Sequence, residues 1–273
     1  MKVNSSNSMS KTQKLVDIQK FINESRNYKK SVPFPFCVVN NIWCSSLLKK
    51  AEEEINNFKD WDGEKKFYGS VGKRFCNTFE KLPESVKEIV QLCNSPAFIN
   101  GLETITGERG LIPDPFLEGG GIHSTNKNGF LKMHTDFNWY SKLKLYRRLN
   151  FIIYLNSGWE ESWKGNLKLA LKKKNKIKVY SEIEPIFNRS ILFTTTSKTY
   201  HGHPDKLCAP LDRSRNSIAI YYYVSERPKG TYLFKRTGTV YRRIQDGKKF
   251  VGELSLKNFP SKIKSFFKLM MSQ

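Results

Sequence analysis

The chain has 273 residues, of which 38% are hydrophobic and 13% aromatic. That is enough apolar content for a buried core, and it excludes a wholly disordered chain. Its 47 Lys and Arg against 25 Asp and Glu give a net charge of +22, which speaks to solubility and anionic partners more than to fold. The longest apolar runs, such as Phe151–Leu155, are far too short to cross a membrane.

The opening MKVNSSNSMSKTQK has no apolar stretch of the secretory kind. The five cysteines (Cys37, Cys44, Cys76, Cys93, Cys208) show no paired spacing. An odd, scattered set suits reduced thiols and a cytoplasmic protein.

Residues 1–10 read as a disordered, Ser/Asn/Lys-rich tail. Leu15, Ile18, Phe21 and Ile22 follow helical spacing. Phe36–Val39 reads as a strand. A helix capped by Ser45 or Ser46 then carries Leu48, Ala51, Ile55 and Phe58 on one stripe. Two further helices fit 83–93, opened by Pro83, and 97–106, ended by Gly107.

After Pro115 the texture becomes β-rich. Short runs at Ile122–Thr125, Phe130–His134, Leu149–Leu155, Leu167–Leu171, Ser190–Thr195 and Ser217–Val224 alternate with turn signals, among them Lys127-Asn128-Gly129. Many short strands following helices predict an α+β, mainly β fold: a double-stranded β-helix, or cupin-like jelly roll, with helices packed on one sheet. With no repeat or linker visible, residues 11–255 read as one domain with its core at about 117–224. Residues 256–273 read as an amphipathic helix with Ile263, Phe266, Phe267, Met270 and Met271 on one face. That face would pack on its own domain or on a second copy in a homodimer, a membrane surface being the alternative.

His134-x-Asp136, with His201 and His203 further on, is the constellation that carries chemistry. Two imidazoles and a carboxylate form the triad that holds non-haem Fe(II) and leaves coordination positions open. His134 and Asp136 share a strand face at i and i+2, whereas spacing alone does not choose between His201 and His203. Arg215-Asn216-Ser217 begins a strand shortly after, where a guanidinium and a hydroxyl can take a co-substrate carboxylate. Arg213 is the fallback anchor. His123 reads as a core histidine, with substrate contact as the alternative. Trp139, Tyr140, Tyr146, Asn150 and Tyr154 are candidates to shape the pocket. Basic clusters at Lys142–Arg148, Lys172–Lys178, Lys229–Lys249 and Lys257–Lys268 read mainly as solvated surface, with selection of an anionic substrate as the alternative.

The stretches LEGGGIHS (117–124), GFLKMHTDFNW (129–139), RRLNFIIYLN (147–156), SILFTTTSKTYHGHPD (190–205) and SRNSIAIYYY (214–223) resemble the 2-oxoglutarate/Fe(II) oxygenase superfamily, in its prolyl 4-hydroxylase-like branch. FPFCVVNNIWCSSLLKKAEEEI (34–55) resembles the strand-then-helix start of that branch. The resemblance implies His134, Asp136 and His201 as metal ligands, since the family pattern places the ligand at the first His of a His-Gly pair. It implies Arg215 and Ser217 as the 2-oxoglutarate anchor, where the collagen-type branch has Lys. Fe(II), 2-oxoglutarate and O2 follow, with ascorbate as an accessory reductant. The implied reaction is hydroxylation of an unactivated C–H of a peptide, amino acid or biosynthetic intermediate, releasing succinate and CO2. Retention of Asp136 favours hydroxylation over halogenation, with desaturation or ring formation as alternatives. A nucleic-acid demethylase of the same superfamily is the alternative suggested by charge, but that branch carries a second Arg where this chain has Tyr221, and no nucleic-acid motif is present. A non-catalytic basic jelly-roll module is the other alternative.

Overall fold

The structure is a computed structural model that describes residues 14–174, 176–226, 228, 238–242 and 244. The expected C-terminal amphipathic helix and the N-terminal tail lie outside the described residues. Strands β1 (Phe36–Asn40), β2 (Gly63–Phe67), β3 (Ser70–Cys76), β4 (Ile112–Pro113), β5 (Gly121–Thr135), β6 (Trp139–Tyr140), β7 (Leu145–Tyr154), β8 (Leu167–Lys173), β9 (Lys176–Ile183), β10 (Arg189–Thr194), β11 (Tyr200–His203), β12 (Arg215–Val224) and β13 (Val240–Tyr241) pair into one sheet. Its central path runs β1-β10-β7-β12-β5-β11-β8-β9, and every pairing along it is antiparallel. The sheet curls because β5 serves two neighbours in turn. Its first residues pair with β12, and its last pair with β11. This is the mainly β, jelly-roll form expected from the sequence.

Helices α1 (Ile18–Glu24), α2 (Ser45–Asn56), α3 (Glu84–Cys93) and α4 (Pro96–Thr106) cover one face of the sheet. Alternation along the central strands explains why. Ile218, Ile220 and Tyr222 of β12 join Leu149, Phe151 and Ile153 of β7 in the core shared with the helices. The intervening residues of β12 point the other way, into the curl. Phe151 is fully buried, with ring centroids 5.2 Å from Phe98 and 5.6 Å from Phe21.

Helix ends follow local chemistry. The Asp17 side chain accepts from the Lys20 backbone N–H at the start of α1, and Ser95 does the same for Phe98 at the start of α4. Gly107 closes α4 at φ +74°, where a side chain would be strained. The expected Ser cap on α2 is not made. Cys44 holds the N-cap position, and its Sγ lies against the Ser46 hydroxyl instead.

Two β elements differ from the sequence reading. β5 is one strand through Lys127-Asn128-Gly129, the extra residues being absorbed as an irregularity with Asn128 at φ +65°. The β2–β3 hairpin and β9 were not expected, because their Lys-rich runs lack the apolar alternation that marks a half-buried strand. Phe151→Ala empties the centre of the helix–sheet contact and is expected to cost about 3–5 kcal/mol in denaturant unfolding. A cost under about 1 kcal/mol would show that the helices contribute little to the fold.

Candidate metal centre and co-substrate pocket

The concave side of the sheet encloses a cavity of about 210 Å³. At its centre one donor atom each of His134, Asp136 and His201 lies within 4.8 Å of the others. Asp136 follows the end of β5. His134 Nε2 is 3.5 Å from Asp136 Oδ1, and His201 Nε2 is 3.3 Å from Oδ2. β11 and β5 bring the imidazoles together because His201 sits directly opposite His134 in the ladder.

The far ring nitrogens face carbonyls. His134 Nδ1 lies 2.9 Å from Lys132 O, and His201 Nδ1 lies 3.4 Å from Thr199 O. Donation there leaves each Nε2 with a lone pair aimed at the shared point, the tautomer a metal-binding imidazole requires. Burial, and then repulsion from His201, lower the His134 pKa, which favours that neutral form. Two imidazoles and a carboxylate with an open side fit Fe(II). Of the two downstream histidines, it is His201 that joins the cluster. His203 lines the same cavity, but its buried Nδ1 has no hydrogen-bond partner among the described residues.

Arg147 was read from the sequence as part of a solvated basic loop, whereas the structure buries it against Asp136. Its Nη2 donates to Asp136 Oδ2 at 3.0 Å and to Asn150 Oδ1 at 2.7 Å, and its Nε donates to Asn150 Oδ1 at 3.0 Å. Asn150 Nδ2 completes the triangle with a 2.8 Å bond to Asp136 Oδ2. The guanidinium lies over the Tyr221 ring, 3.4 Å from its centroid, with Phe137 at 4.7 Å. Burial alone would raise the Asp136 pKa, but Arg147 and the two imidazoles outweigh it and hold the carboxyl well below its ordinary range. The neighbouring Lys142 and Lys144 are exposed, as expected.

Two rows of side chains cross the sheet beside this centre. In the first, Lys65, Lys73, Thr125 and Arg215 lie opposite one another in successive ladders. In the second, Phe75, His123, Ser217 and Tyr154 do the same. Arg215 Nε donates to Gly165 O at 2.7 Å and its Nη2 to the Tyr154 hydroxyl at 3.2 Å. Both Arg215 and Ser217 line the cavity, as the i, i+2 spacing predicts. His123 lines it too, and burial, then Lys73 and Arg215, push its pKa well down.

Arg213, the fallback anchor, does not reach the cavity. It donates to Ser157 O and lies over the Trp163 ring. Of the five residues expected to shape the pocket, Asn150 and Tyr154 line it. Trp139 and Tyr146 meet edge to face at 4.7 Å, and Tyr140 packs against Tyr223.

A curled antiparallel sheet with a two-His, one-carboxylate centre inside defines a non-haem metal oxygenase fold. Residues 120–223 match the model of the 2OG-Fe(II) oxygenase superfamily. The fold is similar to that of a prolyl hydroxylase from Trichoplax adhaerens, solved in complex with a hypoxia inducible factor oxygen degradation domain peptide fragment. The two share 18% identity over 76% of this chain and 90% of that one, with a TM-score of 0.53. It is also similar to a Pseudomonas putida prolyl-4-hydroxylase, at 13% identity over 76% of this chain and 99% of that one, with a TM-score of 0.50. No curated protein matches the chain in sequence.

The segment 120–223 carries the match to the 2OG-Fe(II) oxygenase superfamily, and the protein is a 2-oxoglutarate-dependent non-haem iron dioxygenase using Fe(II), 2-oxoglutarate and O2.

Arg147→Leu leaves the Asp136 carboxylate without its buried counter-ion. The metal-free variant is expected to lose about 3–5 kcal/mol of stability in denaturant unfolding, and its Fe(II) affinity to fall roughly 10–100-fold. Unchanged values on both counts would mean that Asp136 does not depend on the guanidinium.

Proposed function

We propose that this enzyme hydroxylates an unactivated C–H of a peptide or small-molecule substrate, with Fe(II) held by His134, Asp136 and His201. The carrying observation is the convergence of these three side chains beside an arginine–serine pair within one buried cavity. When bound, iron and 2-oxoglutarate supply the oxidising chemistry, in which the co-substrate is decarboxylated to succinate and CO2.

The rest is the work of this chain's own residues. Arg215 takes the distal carboxylate of 2-oxoglutarate, since its Nη1 makes no hydrogen bond among the described residues while Gly165 and Tyr154 fix the plane of the fork. The Ser217 hydroxyl, one step along the same strand face, donates a second bond to that carboxylate. Arg147 and Asn150 occupy Asp136 Oδ2, which leaves Oδ1 to face the metal. Leu131, Ile152 and Leu167 are apolar parts of the cavity wall, which strengthen the interactions between the charges beside them.

The substrate reaches this centre past the β2–β3 hairpin. Lys65 lines the cavity there and is itself exposed, a disposition that favours a substrate carrying negative charge. Nucleic-acid demethylation is disfavoured by Tyr221, which stands where that branch carries its second Arg and stacks on Arg147 instead.

Anaerobic mixing of apo-protein with Fe(II) and 2-oxoglutarate is expected to give a visible metal-to-ligand charge-transfer band. Asp136→Ala and His201→Ala should abolish it, Arg215→Ala should weaken it, and His203→Ala should keep it. Iron bound without a band would mean a metal protein of different chemistry, and no iron bound at all would favour a non-catalytic module.

A further inference from the structure

The first side-chain row holds a cation that the mechanism above does not use. Lys73 is opposite Thr125 on one side of β5, and Arg215 is opposite the same Thr125 on the other. Directly opposed residues project to one face of a sheet, so the two cationic side chains rise from strands on either side of a single intervening one. Neighbouring strands lie about 4.8 Å apart, which puts their origins roughly 10 Å apart, within the joint reach of a Lys and an Arg. Both line the cavity.

Lys73 points inward because of its neighbour. Gly72, at φ +66°, interrupts the alternation of β3, so that Val71 is exposed while Lys73, two residues on, faces the cavity. A Cβ at Gly72 would also meet the Gly129 backbone at 3.2 Å.

No acid among the described residues pairs with this cation. Among the described residues Lys73 makes no ion pair and no hydrogen bond, and the cavity's carboxylate, Asp136, is already taken by Arg147 and Asn150. Burial, and then Arg215 close by, push the Lys73 ammonium down to about 7. Two like charges facing one cavity whose only carboxylate among the described residues is already paired raise the free energy of the empty protein, and a bound anion relieves it.

We propose that Lys73 is a second anchor for the distal carboxylate of 2-oxoglutarate, closing with Arg215 a two-cation clamp around it. This rests on the co-substrate reading above and adds to it a residue from a hairpin outside the region matched to the superfamily. Thr125 and Ser217, between and beside the two cations, supply neutral donors to the same group. The clamp makes selection for a keto acid with a distal carboxylate stricter than one guanidinium alone would.

The test is anaerobic titration of the Fe(II) protein with 2-oxoglutarate and, separately, with 2-oxopentanoate, which has the same chelating head and chain length but no distal carboxylate. Lys73→Met is expected to raise the 2-oxoglutarate Kd by roughly tenfold or more and to leave the 2-oxopentanoate and Fe(II) affinities unchanged. Lys73→Arg should recover most of the 2-oxoglutarate affinity. An unchanged 2-oxoglutarate Kd in Lys73→Met overturns the clamp, as does an equal loss for both keto acids. If wild-type protein binds iron yet gives no band with 2-oxoglutarate, the co-substrate reading itself fails, and the clamp with it.

Discussion

Asp136 is a carboxylate held inside the cavity with its side chain largely buried, and most of the surrounding architecture can be traced to keeping it charged there. An isolated carboxylate taken out of water costs several kcal/mol even after relaxation. Arg147 offsets this directly, and Asn150 ties the two together so that neither can rotate away. Arg147 in turn is a buried cation, stabilised by the faces of Tyr221 and Phe137. Tyr221 is fixed by its hydroxyl bond to Gly119 O, in the segment leading into β5. One ion pair thus draws β5, β7, β12 and the loop before β5 into a single unit around the His134–Asp136–His201 cluster.

The same strands serve two purposes on opposite faces, and this links stability to site geometry. β7 and β12 present Phe151, Ile153, Ile218 and Ile220 to the helices while presenting Asn150, Tyr154, Arg215 and Ser217 to the cavity. A strand locked by close packing on one side cannot shift its register without flipping every residue on the other. The aromatic contacts of Phe21, Trp43 and Phe98 on Phe151 therefore fix the position of Asn150 and the ring row that ends at Tyr154, although they touch neither.

Strand alternation is also what made the fold and the cluster of His134, Asp136 and His201 legible in the sequence. Period-two patterns in Leu149–Leu155 and Ser217–Val224, and the i, i+2 pairs His134/Asp136 and Arg215/Ser217, survive intact because those stretches are regular. What alternation could not place are residues beyond an irregularity. Tyr222 lies opposite Leu149, but Tyr223 lies opposite Arg147, so Arg148 is skipped. That single step turns Arg147 inward beside Asn150 and sends Arg148 out to pair with Glu108 at 2.7 Å. Simple counting would have put Arg148 and Asn150 on one face. Gly72 does the same for Lys73. The visible signal was a pair of adjacent arginines and a glycine within a Lys-rich run, neither of which distinguishes a bulge from a turn.

These irregularities have a common logic. A regular pleated sheet delivers functional groups on a fixed lattice, every second residue along a strand and one strand spacing across it. A compact metal centre needs groups closer together than that lattice allows, at angles it does not offer. Each bulge adds one residue to re-aim a side chain, at the cost of local ladder bonds. Around the cavity, register shifts occur at Gly72, at Arg148 and at Gly202, between His201 and His203. Gly202 has Lys132 O only 2.7 Å from where a Cβ would be, so no side chain fits between the two histidines. That close approach of β11 to β5 sets His201 opposite His134 and leaves His203, one irregular step further on, lining the cavity rather than joining the cluster. The choice between the two histidines, which spacing leaves open, is therefore made by a glycine and by the backbone that crowds it.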